Sequence, residues 1–121
     1  MQTQSNAIEK ALVLSYINAL DKQDYDSAMN YLNDEIRIRG NSNESFNRPR
    51  EFIEMLRQFR GKYNVKKVFA DGEDVCLIYD LVTPVATVIM CSWYQVKNGK
   101  IASIQTVFDP SAFAAAPSTR Q

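Results

Sequence analysis

Ile89-Met90-Cys91-Ser92-Trp93-Tyr94-Gln95-Val96-Lys97-Asn98-Gly99-Lys100-Ile101-Ala102-Ser103-Ile104-Gln105-Thr106-Val107-Phe108 reads as two long strands joined by a tight turn. Asn98-Gly99 is the strongest turn signal in the chain, because both residues tolerate the positive φ that a two-residue hairpin demands. A two-residue loop sets Lys97 against Lys100. Continued without interruption, that register sets Trp93 against Ile104, Cys91 against Thr106 and Ile89 against Phe108, all on one face. The opposite face then carries Met90, Ser92, Tyr94, Ser103, Gln105 and Val107. Both faces are rich in apolar side chains, so one must take the helices and the other a second surface. A homodimer through Met90, Ser92, Tyr94 and Gln105 is the simplest expectation.

Upstream, Asp71-Gly72 is a second hairpin signal, between strands at residues 65–70 and 75–82. Thr83-Pro84 ends the latter. Pairing Val82 with Ala86 places Val75, Leu77, Tyr79 and Leu81 on the Trp93 face and Asp80 on the other. A slip of one residue would reverse these faces.

Helices come first. Ile8, Leu12, Tyr16 and Leu20, widened by Val13 and Ile17, recur at helical spacing over residues 7–20, with Asn6 and Glu9 placed as a capping box. Asp24 caps a second short helix bearing Ala28, Met29, Tyr31 and Leu32. Residues 35–39 alternate as a half-buried strand, with Ile36 and Ile38 inward and Arg37 and Arg39 outward. Residues 40–47 read as a loop. Pro49 opens a third helix carrying Phe52, Ile53, Met55, Leu56 and Phe59, ended by Gly61. Helices followed by antiparallel strands make an α+β domain over residues 1–110. Residues 111–121 read as a flexible tail.

The whole chain is 121 residues with 14 basic and 14 acidic side chains and no histidine. Zero net charge gives no reason to expect nucleic acid or an anionic membrane as partner. The lack of histidine excludes a Ser-His-Asp triad, a histidine base and histidine metal sites. The N-terminal stretch has no basic segment followed by an apolar run, and no run is long enough to span a membrane, so a cytoplasmic protein is expected. Cys76 and Cys91 fall in apolar strands without a CxxC motif and read as two free thiols. No metal and no cofactor are expected.

Tyr16-Ile17-Asn18-Ala19-Leu20-Asp21-Lys22-Gln23-Asp24-Tyr25 followed by Tyr31-Leu32-Asn33-Asp34-Glu35 resembles the opening of SnoaL-like proteins, within the nuclear-transport-factor-2-like, or ketosteroid-isomerase-like, superfamily. Arg48-Pro49-Arg50-Glu51-Phe52-Ile53, Ala70-Asp71-Gly72-Glu73-Asp74-Val75, Asn98-Gly99-Lys100-Ile101 and Val107-Phe108-Asp109-Pro110 continue the resemblance in order. It implies a cystatin-like cone: three helices against a strongly curved antiparallel sheet, with an apolar pocket inside. The superfamily spans isomerases, epoxide hydrolases, cyclases, dehydratases and binding modules, so function rests on pocket residues.

A ketosteroid-type isomerase needs a carboxylate base and an oxyanion hole built from a tyrosine and a protonated acid. The resemblance puts Tyr16 at the tyrosine, but Gly40 at the base and Cys91 at the acid. A limonene-type epoxide hydrolase needs two carboxylates bridged by an inward arginine, whereas Arg37, Arg39 and Asp80 all read as outward. No residue is assigned a catalytic role. The remaining expectation is a cavity lined by Tyr16, Tyr79, Trp93 and Thr106, with Phe52, Met55, Ile104 and Phe108 as its apolar wall, binding a small, largely apolar ligand. The alternative is a small isomerase, cyclase or hydrolase using Tyr16 with Asp80 or Asp109. Asp80 otherwise reads as an outward or interface charge and Asp109 as a turn residue.

Overall fold

Val13, Tyr16, Ile17 and Leu20 form the buried stripe of α1 (Gln2–Asp21) in the computed structural model, which describes residues 2–41, 45–109 and 111, with side chains from residue 7 onward. The helix begins upstream of the expected Asn6 cap; Gln2 to Ser5 include no proline or glycine to stop it. Ile8, counted in the stripe, is instead exposed. α2 (Tyr25–Asn30) starts as read: the Asp24 side chain accepts a hydrogen bond from the Ser27 amide at 3.3 Å. Replacing Asp24 with Ala should cost about 1 kcal/mol, measurable by urea denaturation. α3 (Pro49–Phe59) takes its proline in the first turn. Its left-handed cap is Arg60, at φ 52°, one residue before the glycine expected to fill that position.

The strands are β1 (Leu32–Arg39), β2 (Ser45–Phe46), β3 (Lys62–Asp71), β4 (Asp74–Val82), β5 (Thr87–Lys97) and β6 (Lys100–Phe108). They form one sheet in the order β2-β1-β6-β5-β4-β3. Every pairing is antiparallel except β1 with β6, which is parallel. β2 falls in the stretch expected to be loop. The sheet is curved, with helices on its concave side: α1 lies against β3 and β4, and α3 against β1 and β2. No helix among the described residues is long and apolar enough to cross a membrane. The expected flexible tail lies outside the described residues apart from Ser111.

Two registers differ from the sequence reading, each by one residue. Asn98 and Gly99 take φ of 54° and 78°, and Lys97 pairs with Lys100 and Val96 with Ile101 as expected. Ala102 is then left without an opposite number, and Gln95 pairs with Ser103. This bulge turns every later residue of β6 over relative to β5, setting Trp93 against Gln105 and Tyr94 against Ile104. In the other hairpin the loop is four residues, not three, because the Thr83 hydroxyl accepts from the amides of Val85 and Ala86 at 3.3 and 3.1 Å. Val82 therefore meets Thr87, and Tyr79 meets Met90.

The outcome is a correction of the two faces of β5. Val88, Met90, Ser92, Tyr94 and Val96 point into the cone and are buried, while Ile89 and Trp93 are 58% and 47% exposed on the convex face. Met90, Ser92 and Tyr94, expected at a dimer interface, are core. Of that expected set only Gln105 lies on the convex face, opposite Trp93.

Candidate functional site

The concave face and the helices enclose a cavity of about 150 Å³. α1 contributes Tyr16, Ile17 and Leu20; α3 contributes Phe52, Met55, Leu56 and Phe59. The floor comes from the sheet: Tyr63, Tyr79, Leu81, Met90, Ser92, Tyr94, Ile104, Thr106 and Phe108. Ile38, Arg39, Gly40 and Phe46 complete the lining at the ends of β1 and β2. α3 buries only Ile53 fully. Most of its apolar side chains are thus spent on the cavity wall and the half-exposed rim.

The sequence-derived set divides cleanly. Tyr16, Phe52, Met55, Tyr79, Ile104, Thr106 and Phe108 lie around this one cavity. Trp93 does not. The Ala102 bulge and the four-residue loop put it on the convex face, where its indole N–H donates to Asp74 Oδ1 at 2.9 Å. Met90, Ser92, Tyr94 and Tyr63 were missed. A signal for the first three was present: Thr87, Gln95 and Lys97 share the Trp93 face, and polar strand ends mark the side that meets solvent. Tyr63 was missed because β3 starts three residues before the alternation became legible.

Polar groups on the floor form a network of hydroxyls. Tyr79 Oη lies 3.0 Å from Ser92 Oγ, and Ser92 Oγ lies 2.8 Å from Thr106 Oγ1. Tyr94 joins Tyr79 and Ser92, so the hydroxyls form a branched network rather than an open chain. Tyr16 stands beside them, its ring edge-on to Tyr94 at 6.1 Å, and Tyr63 lies against Tyr79 at 5.7 Å. Tyr16 is 1% exposed.

All four phenols stay neutral. Burial raises Tyr16 and Tyr94 well above the usual tyrosine value, and the neighbouring phenols push the same way. Burial also raises Tyr63. For Tyr79 burial outweighs the lowering by its hydrogen bonds with Ser92 and Tyr94. Such groups donate well to an oxygen and accept protons poorly.

No carboxylate lines the cavity among the described residues. Asp80 is on the convex face, with its carboxylate 3.5 Å from Lys66 Nζ. Asp109 follows β6, exposed, and accepts hydrogen bonds from the Ser111 hydroxyl and amide, which hold its carboxyl below the usual range. The pairing of Tyr16 with either acid therefore has no geometric basis. Gly40 lies on the rim with open space where a Cβ would stand, so the position the resemblance gives to an isomerase base is empty of functional groups. Arg37 and Arg39 are exposed, and β1 alternates as expected with Ile36 and Ile38 buried. No group of three or more potential metal ligands occurs among the described residues.

The model of the SnoaL-like domain matches residues 13–104. No curated protein sequence matches the chain. Among solved structures, an NTF2-like protein of unknown function from Cytophaga hutchinsonii is 29% identical, with a TM-score of 0.82 over 88% of this chain and 94% of its own. An LEH-like epoxide hydrolase from M. tuberculosis is 21% identical, with a TM-score of 0.75 over 93% of this chain and 92% of its own. A de novo designed protein with a curved β-sheet reaches a TM-score of 0.78 at 22% identity, over 94% of this chain and 95% of its own. That an enzyme and a designed protein both share this shape shows how little the shape alone says about chemistry.

Proposed function

The chain belongs to the SnoaL-like domain family, and from that membership and the cavity we propose that it binds a small, neutral, largely apolar molecule inside the cone. The observation that carries this reading is the cavity itself: apolar walls, a floor of neutral hydroxyls and, among the described residues, no carboxylate, with the exposed Arg39 at the end of β1 as the one charged side chain of the lining. An apolar cavity of about 150 Å³ has room for a guest the size of benzene, and pockets for drug-sized ligands are larger. The ligand class is therefore a molecule of about one ring with a single oxygen. Tyr16 and the Tyr79-Ser92-Thr106 hydroxyls, which line the cavity, would supply hydrogen bonds to that oxygen. Native mass spectrometry of freshly expressed protein tests the reading: a retained small molecule of this class supports it, and an organic acid or a multi-ring compound would contradict it.

Affinity is expected to be flat between about pH 6 and 8, because the floor hydroxyls do not titrate there. Titration at both ends of that range checks this. Trp93 is the sole tryptophan and lies outside the cone, so ligand entry should leave its fluorescence nearly unchanged.

We also propose that the protein pairs with a second copy through the convex face. Phe69, Ile89, Trp93 and Val107 are each about half exposed there, on β3, β5 and β6. Trp93→Glu would place an unpaired charge in that interface. The expected result by light scattering at micromolar concentration is a dimeric parent and a monomeric variant. A monomeric parent would rule the pairing out.

A further inference from the structure

Cys76 on β4 and Cys91 on β5 project from the same convex face, with their sulfurs 3.6 Å apart. They are diagonal neighbours: Cys76 pairs with Trp93, and Cys91 with Ile78. Both are free and partly exposed. Their partnership is invisible in the sequence, where 15 positions separate them, and depends on the four-residue loop that sets the hairpin register. Two sulfurs are too few for a structural zinc site, and no third potential ligand joins them among the described residues. They have no role at the cavity, which lies on the other side of the sheet.

We propose that Cys76 and Cys91 are a redox pair that closes to a reversible disulfide across β4 and β5 by exchange with a small disulfide such as glutathione disulfide. In the first step the Cys91 thiolate attacks one glutathione sulfur; the S–S bond breaks and one glutathione leaves as thiolate, taking up the proton that Cys91 gave. In the second, Cys76 attacks the Cys91 sulfur of the mixed disulfide, and the second glutathione leaves with the proton from Cys76. Two protein thiols are oxidised and one small disulfide is reduced to two thiols. From 3.6 Å the sulfurs must approach to the bond length of about 2.05 Å, a movement within reach of χ1 changes and slight strand shifts. Burial and the adjoining Cys91 push the Cys76 thiol up to about 11. Such a thiol is mostly protonated at neutral pH, so the closing step should quicken as pH rises.

The test uses the full reduced chain incubated with glutathione disulfide, with thiol titration and intact mass as readouts. Both thiols should be lost together, with the mass of two hydrogens gone, and recovered on adding a reductant. Cys76→Ser and Cys91→Ser should each stop at a stable glutathione adduct on the remaining cysteine. The incubation is repeated across a dilution series, since a dimer through this face would shield the pair. Thiols inert when concentrated but lost on dilution support the exchange and the dimer together. Thiols lost equally at every concentration support the exchange and count against a dimer that covers them. Thiols inert at every concentration, or a parent protein that stops at a mixed adduct, would overturn the proposal.

Discussion

Inserting a second alanine directly after Ala102 is expected to leave the protein unfolded. The bulge at this residue is what returns Ile104, Thr106 and Phe108 to the concave face after the Asn98-Gly99 turn. With one more residue there, each later residue of β6 moves along by one, Ile104 turns outward opposite Trp93, and Gln105 enters the cone opposite Ser92. Exposing a buried isoleucine costs about 1.5–3 kcal/mol and burying an unpaired amide about 1–3 kcal/mol more. The loss of Phe108 from the cavity wall and of the Thr106 hydroxyl from its bond with Ser92 adds to this. The total rivals the entire stability of a domain, about 5–15 kcal/mol. Ala102→Gly keeps the residue count and should fold, losing about 1 kcal/mol or less. Circular dichroism and urea unfolding of the two variants separate the effect of residue count from that of side chain. An insertion variant with parental stability would show that the residue count at the bulge does not set the faces.

Raising the pH should unfold the protein steeply above about pH 10. Tyr16, Tyr79 and Tyr94 are buried, and burial is the largest cause holding each phenol above its ordinary value. Raised folded-state values fix the sign. Below the unfolded tyrosine pKa both states keep the proton and stability is fully present. Above it the unfolded chain loses protons that the folded chain retains, and stability falls until the folded values are reached. Tyr63 is raised by burial as well; each phenol contributes a slope of about 1.4 kcal/mol per pH unit, so the four give about 5–6 kcal/mol per unit. Urea midpoints between about pH 8 and 11 should be level at first and then drop sharply. Tyr16→Phe should reduce the slope by about a quarter, because one of four titrating groups is gone. A stability curve flat through that range would contradict the burial of these phenols.

The fold was legible because its punctuation is chemical. Asp24, Pro49, Asp71-Gly72 and Asn98-Gly99 each carry a local reason to start or turn an element, and all four act where the sequence places them. The faces were less legible, since a sheet has a period of two and one extra residue inverts it. Here two such residues occur. The bulge at Ala102 inverts β6 against β5, and the longer loop at Thr83 inverts β4 against β5. The two inversions cancel between β4 and β6. Tyr79 and Phe108 therefore share a face in the sequence reading and in the structure alike, and only β5 is turned over. That is why Trp93 alone among the expected cavity residues lies outside, and why Met90, Ser92 and Tyr94 lie inside. Nothing local to Ala102 marks it as the bulged position; it is adjacent to the irregular stretch of β1 between Leu32 and Arg37, a tertiary pairing with no signature in either strand. The cysteine pair was hidden by the same loop.

The most direct test of ligand binding in the cone is calorimetric titration of p-cresol, one ring with one hydroxyl, into the parent protein and Met55→Trp. Met55 is a partly buried wall residue on α3, and an indole there should fill the cavity without disturbing the sheet. Circular dichroism confirms that the variant folds. The expected result is one p-cresol per parent chain with a dissociation constant of about 1 mM or tighter, weakened about tenfold or more in the variant. No heat of binding in the parent, or equal affinity in the two proteins, would show that the cone does not hold such a ligand.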